Sequence, residues 1–112
     1  MKTKIVKSNG ISGTIRLAGD KSISHRAALF AALATGQSSI ENFLDAGVTR
    51  VLLNNLTKLG VTWQMAGNTL TVEGNGIGGL KEPTDVLFCG NSATTLRLLA
   101  GVIAAAGLDA TL

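Results

Sequence analysis

Apolar and polar residues alternate over two short stretches near the start of the chain, 2–7 and 13–18, with a Ser-Asn-Gly turn between them. That pattern predicts two strands. Asp20 then suits an N-cap for a helix running to about Thr35, with Gly36 placed to stop it. Residues 38–43 suit a further strand. Val48, Val51, Leu52, Leu56 and Leu59 fall on one helical stripe that ends at Gly60. Residues 61–65 and 69–73 alternate around Ala66-Gly67-Asn68, a hairpin signal. A Gly-rich link at 74–79 leads to a candidate strand at 85–89, and residues 91–106 form a last helix stopped by Gly107. The order β, α, β, α, β, β, α implies an α/β or α+β fold.

The chain also echoes itself. An offset of 71 residues superposes Gly19 on Gly90, Asp20 on Asn91, Ser24 on Thr95, Arg26 on Arg97 and Gly36 on Gly107. Each copy is a Gly turn, two polar helical turns ending in Arg, an Ala-rich apolar remainder and a Gly stop. Two helices built to one plan suggest a duplicated βαβαββ-like unit, with the second copy cut off at Leu112.

Composition narrows the function classes. Hydrophobic residues make up 46% of the chain and charged ones only 15%, so there is ample apolar surface to bury and disorder is excluded. The formal charge of +3 is uneven: residues 1–26 hold six cations against Asp20 alone. With no Tyr and four aromatic residues, a nucleic-acid stacking platform is not available. No stretch of 18 apolar residues occurs and the first ten residues lack a leader's apolar core, which points to a cytoplasmic protein without a membrane partner. Cys89 is the only cysteine and His25 the only histidine, so neither a disulfide framework nor a metal site is expected.

Candidate chemistry concentrates at the two helix starts. On a wheel of about 100° per residue, Lys21, Ser22, His25 and Arg26 fall on one arc. Ile23, Ala27, Phe30, Ala31 and Ala34 lie opposite. Beyond Arg26 the first helix is apolar on every side, which predicts that it is buried with its polar groups confined to the N-terminal end. Unpaired backbone N–H groups and the positive end of the helix dipole lie there. Cations at such an end oppose the dipole unless an anion joins them. Lys21, Ser22 and Arg26 therefore read as a phosphate or carboxylate site, Arg supplying a planar fork and Lys a point charge. The dipole itself contributes only about 0.3–1 kcal/mol, so the side chains dominate. Asn91, Ser92, Ala93, Thr94, Thr95 and Arg97 repeat the arrangement, with small residues at 92 and 93 that let a ligand approach the backbone. A nucleotide phosphate loop fails, because Asp20 separates Gly19 from Lys21 and position 14 is Thr. His25 reads as a polar neighbour of the anion site, Cys89 as a packed free thiol, and Trp63 as packing on a hairpin face.

The run Leu17-Ala18-Gly19-Asp20-Lys21-Ser22-Ile23-Ser24-His25-Arg26-Ala27 resembles the N-terminal signature of the 3-phosphoshikimate 1-carboxyvinyltransferases, or EPSP synthases. Phe88-Cys89-Gly90-Asn91-Ser92-Ala93-Thr94-Thr95-Leu96-Arg97 resembles their second signature, at fitting spacing. The resemblance implies joining of shikimate 3-phosphate to phosphoenolpyruvate with release of phosphate, on the route to chorismate, without organic cofactor or catalytic metal. It implies that Lys21 contacts both substrates and that Ser22 and Arg26 hold shikimate 3-phosphate. Ala93 would touch phosphoenolpyruvate through its backbone, supported by Asn91 and Arg97. The implied fold has two domains of three βαβαββ units each. About one and a half units would be present here, with residues 1–19 belonging to the distant domain and 20–112 beginning the nearer one.

Three departures follow from the same resemblance. Family members are several times longer, so the chain reads as a fragment that needs the missing C-terminal part of the same enzyme and is inactive alone. Most members carry Gly where Ala93 stands, and Ala there is associated with glyphosate insensitivity. Many have an acidic pair where this chain has Gly47-Val48. The alternative reading is a stand-alone anion-binding or interaction module that keeps the scaffold without catalysis.

Overall fold

A computed structural model describes residues 1–112. The regular elements are α1 (Lys21–Leu33), β1 (Thr35–Ile40), α2 (Gly47–Lys58), β2 (Thr62–Ala66), β3 (Thr69–Asn75), a 3-10 turn at Ile77–Gly79, and α3 (Ala93–Ala106). The three strands form one antiparallel sheet in the order β1-β3-β2. Gly67 (φ 60°) and Asn68 join Ala66 to its pairing partner Thr69. Positive φ at the first central residue is what a two-residue turn needs to match strand twist.

Alternation along β3 places Leu70, Val72 and Gly74 on the buried face and Glu73 on the exposed one. The helices cover the buried face, and Gln37 Nε2 donates to Glu73 Oε1 across the open one. Leu52, Leu53, Leu56 and Leu59 of the second helical segment join Leu70, Val72, Leu87, Leu99 and Ile103 in a single apolar core. No helix is long and apolar enough to cross a membrane. The mixed α/β architecture agrees with the fold class read from the pattern of elements.

Several expectations are corrected. Residues 2–7 and 13–18 form no strand, and Ile5, Ile11, Ile15 and Leu17 remain exposed. A strand exists only against a partner edge, and these stretches pair with neither open edge of the sheet, β1 or β2. Residues 85–89 also form no strand. They are held by scattered bonds instead: Lys58 Nζ donates to the Val86 carbonyl (2.8 Å), Leu87 N–H to the Thr111 carbonyl (2.8 Å), and Asn55 Nδ2 to the Phe88 carbonyl (3.1 Å). Helix α1 stops at Leu33, before Gly36, because the chain turns directly into β1.

The face that α1 buries is also not the one the wheel suggests. Ser24, His25, Ala28, Leu29, Ala31 and Ala32 are buried, while Ile23 and Phe30 are 68% and 65% exposed. Close packing explains the choice. Gly74 of β3 lies so near the carbonyls of Ala31 and Ala34 that no Cβ fits between them. Only small side chains allow the helix to approach a strand that closely, so the bulky Ile23 and Phe30 turn outward.

Candidate functional site at the starts of two helices

Asp20 caps α1, its Oδ1 accepting from the Ile23 N–H at 2.7 Å. Gly19, just before it, packs against the Asn42 carbonyl and the Leu44 N–H, where a Cβ would collide with backbone. One turn on, buried Ser24 Oγ accepts from the Leu44 N–H at 3.0 Å. The first turn of α1 is thereby fixed to the loop that leads into α2. Ser22 lies exposed at this end.

The start of α3 is fixed to α2 itself. Asn55 Nδ2 holds the Phe88 carbonyl, and Gly90 faces the Val51 side chain. Ser92 caps α3, accepting from the Thr95 N–H at 3.2 Å and bonded to Thr95 Oγ1 at 2.8 Å, with both side chains buried. The cap is thus Ser92, one residue later than the 71-residue echo of Asp20 would place it. Asn91 and Ala93 are exposed on either side of it. The echo also fails at the far end: Gly107 closes α3 in a left-handed cap, whereas Gly36 lies within β1. It holds for the polar first turns, where Ser24 and Thr95 are buried and Arg26 and Arg97 exposed.

Lys21, Arg26 and Arg97 have no carboxylate partner, since the single ion pair of the chain joins Arg50 to Asp45. Arg26 Nη1 donates only to the Ser22 carbonyl, at 3.3 Å. Three cations thus stand free at two helix starts, one tied to the loop before α2 and the other to α2 itself. No cavity encloses them. The largest cavity, about 510 Å³, lies elsewhere, between Arg16, Leu17, Glu41, Asn42, Asn68 and Thr69. Lys21, Arg26 and Arg97 are all exposed and open to solvent.

Asp45, which follows the Leu44 anchor, is held by Arg50, Nε at 2.5 Å and Nη2 at 2.7 Å. That hydrogen bonding, reinforced by the Arg50 charge, lowers the Asp45 pKa and raises that of Arg50. Arg50 also sits 5.6 Å over the Trp63 ring, whose Nε1 donates to the Leu53 carbonyl and Thr57 Oγ1. Asp45 is therefore committed to α2 and does not neutralise Lys21. Cys89 is buried, and burial pushes its thiol pKa up, as a packed thiol requires.

A family model described as EPSP synthase (3-phosphoshikimate 1-carboxyvinyltransferase) matches residues 5–112. The chain belongs to the EPSP synthase family. It is 48% identical over 107 residues to the 3-phosphoshikimate 1-carboxyvinyltransferase of Pelotomaculum thermopropionicum, covering 93% of this chain and 24% of that protein. It is 53% identical over 95 residues to that of Chloroflexus aurantiacus, covering 84% and 22%. Among solved structures, EPSP synthase from Acinetobacter baumannii superposes with a TM-score of 0.77 at 36% identity, covering 81% of this chain and 21% of the other. The chain thus spans about a quarter of the length of these EPSP synthases.

Sequence reasoning found the free cations but missed the residues that place them. Asn55 was readable as the polar interruption of an apolar stripe, four residues from both Val51 and Leu59. Ser24 stood out only as the echo partner of Thr95, and Thr49 and Arg50 gave no local signal. Thr49 Oγ1 accepts from the Ala46 N–H at 3.0 Å and donates to the Leu44 carbonyl at 2.6 Å, closing the start of α2 where Ala46 has no capping side chain.

Proposed function

We propose that this chain forms the first substrate-binding portion of an enolpyruvyl transferase that joins phosphoenolpyruvate to shikimate 3-phosphate in the cytoplasm. The observation that supports it is the pairing of family membership with Lys21 and Arg26 standing free of any carboxylate at one capped helix start. In this reading Ser22 and Arg26 hold shikimate 3-phosphate and Lys21 contacts both substrates. The Ala93 backbone lies against phosphoenolpyruvate, with Asn91 and Arg97 supporting that wall. The phosphoenolpyruvate methylene takes a proton, the shikimate 5-hydroxyl adds to the carbon bearing phosphate, and loss of inorganic phosphate and a proton restores the enol ether. Free cations set beforehand around the phosphates stabilise charge without reorganising.

Residues 1–19 pair with the distant domain in this reading, and 20–112 begin the domain that carries the site. The exposed cations need an opposing face, so the chain alone is inactive. The Ala93 methyl, exposed at the first position of α3, crowds glyphosate and makes the complete enzyme insensitive to it.

Fusing the chain to the remaining length of a homologous EPSP synthase and measuring phosphate release tests the reading. The chimera turns over and the chain alone does not. Arg26→Gln raises the KM for shikimate 3-phosphate roughly 10- to 150-fold, the equivalent of one charge-assisted hydrogen bond of about 1.5–3 kcal/mol. Ala93→Gly restores inhibition by glyphosate. Turnover by the chain alone, or an Arg26→Gln chimera with unchanged KM, overturns the reading. Phosphate binding without activity in the chimera supports the stand-alone module instead.

A further inference from the structure

His25 is fully buried on α1, and the catalytic reading leaves it without a task. Its Nδ1 lies 2.8 Å from the carbonyl oxygen of Lys21, and no protein group pairs with Nε2. A carbonyl has no proton to give, so Nδ1 must carry the hydrogen. The opposite tautomer would set two lone pairs against each other at 2.8 Å and bury an Nε2–H without an acceptor.

We infer that His25 is a positioning residue for Lys21, locked in the Nδ1–H tautomer by the Lys21 carbonyl. A carbonyl oxygen has two lone pairs. The helical N–H of residue 25 uses one, and the ring N–H takes the other. The first turn of a helix is where its bonds open most readily. Here Asp20 secures it through the Ile23 N–H, and Ser24 through the loop at Leu44. His25 secures the peptide of Lys21 itself, from the buried side. The exposed Lys21 side chain then leaves a backbone that does not fray. That this order serves oxyanion binding rests on the function proposed above; the tautomer and the clamp do not.

Two measurements on the full chain test it. Long-range nitrogen–carbon NMR of the imidazole reports which nitrogen is protonated. Nδ1 bears the proton and Nε2 is bare, although free histidine in water favours the reverse. Amide exchange then separates clamping from core filling. In Asn, Nδ2 sits at the same side-chain position as histidine Nδ1, so His25→Asn keeps the donor while losing ring volume. His25→Phe keeps the volume and loses the donor. The amides of Ser24, His25 and Arg26 exchange at least tenfold faster in His25→Phe and within about threefold of wild type in His25→Asn. The Ala34 amide, bonded to the Phe30 carbonyl at the far end, is unchanged in both. A protonated Nε2, or first-turn protection kept by Phe and lost by Asn, overturns the inference. Should a variant fail to fold, the wild-type tautomer decides alone. Neither readout needs catalysis, so failure of the enzymatic reading leaves both interpretable.

Discussion

Replacing Gly74 by Ala tests the packing that aims α1. The new methyl would press on the carbonyl oxygens of Ala31 and Ala34 at once, both fixed in or beside the last turn of the helix. Backbone on both sides leaves no flexible side chain to yield, so α1 must lift from the central strand. Overpacking of this kind costs about 1–3 kcal/mol. The Ala34 carbonyl also accepts from the Gly76 N–H at 2.9 Å, and its displacement puts a further ~1 kcal/mol at risk. A total of about 2–4 kcal/mol lowers the folding equilibrium constant roughly 30- to 800-fold, at 1.4 kcal/mol per tenfold change. For a domain of this size that is a drop in Tm of roughly 8–30 °C. Thermal melts followed by Trp63 fluorescence and helical circular dichroism measure it. Gly101→Ala is the control: that position is exposed within α3 with open space around it, and the same added methyl stabilises by roughly 0.5–1 kcal/mol. A Gly74→Ala melt within a degree or two of wild type would refute the close-packing account of why Ile23 and Phe30 face outward.

The capping, ionic and thiol features make separate predictions. Asp20→Ala removes the acceptor for the Ile23 N–H and destabilises by about 1 kcal/mol in urea denaturation, while Asp20→Asn retains most of that stability. The folded-state pKa of Asp45 is lowered by hydrogen bonding to Arg50. The stability it adds is therefore complete above the ordinary aspartate value of about 3.9 and is lost as pH falls through the lowered value. The stability gap between wild type and Asp45→Asn closes over that acidic range; a gap that does not change with pH counts against the assignment. Cys89 reacts with a thiol-directed disulfide reagent only as fast as the fold opens, and denaturant accelerates the reaction. Immediate labelling of the native chain would contradict its burial.

Local chemistry made much of this protein legible in one dimension. Asp20 and Ser92 are short polar side chains that bond back to the third residue on, and Gly67 and Gly107 occupy backbone regions that other residues disfavour. Such features depend on neighbours within a few positions, so the Asp20 cap, the hairpin and the Gly107 stop could be read directly, and the Ser92 cap to within one residue. The free cations at Lys21, Arg26 and Arg97 were legible for the same reason, because residue type and position in the helix carry the signal.

Tertiary structure alone decided what depends on a distant partner. Stretches 2–7, 13–18 and 85–89 have strand-like patterns and form no strand, since alternation supplies a face but not a neighbouring edge. Helix α1 is apolar around most of its circumference and has no intrinsic inward side; Gly74 on a strand some forty residues away selects the small-residue face. The buried bonds from Ser24 to Leu44 and from Asn55 to Phe88 fix one helix start to the loop before α2 and the other to α2 itself. Local pattern can mark a residue such as Asn55 as out of place, but it cannot name a partner twenty or thirty-three positions away, and those partners are what tie each helix start to its neighbours.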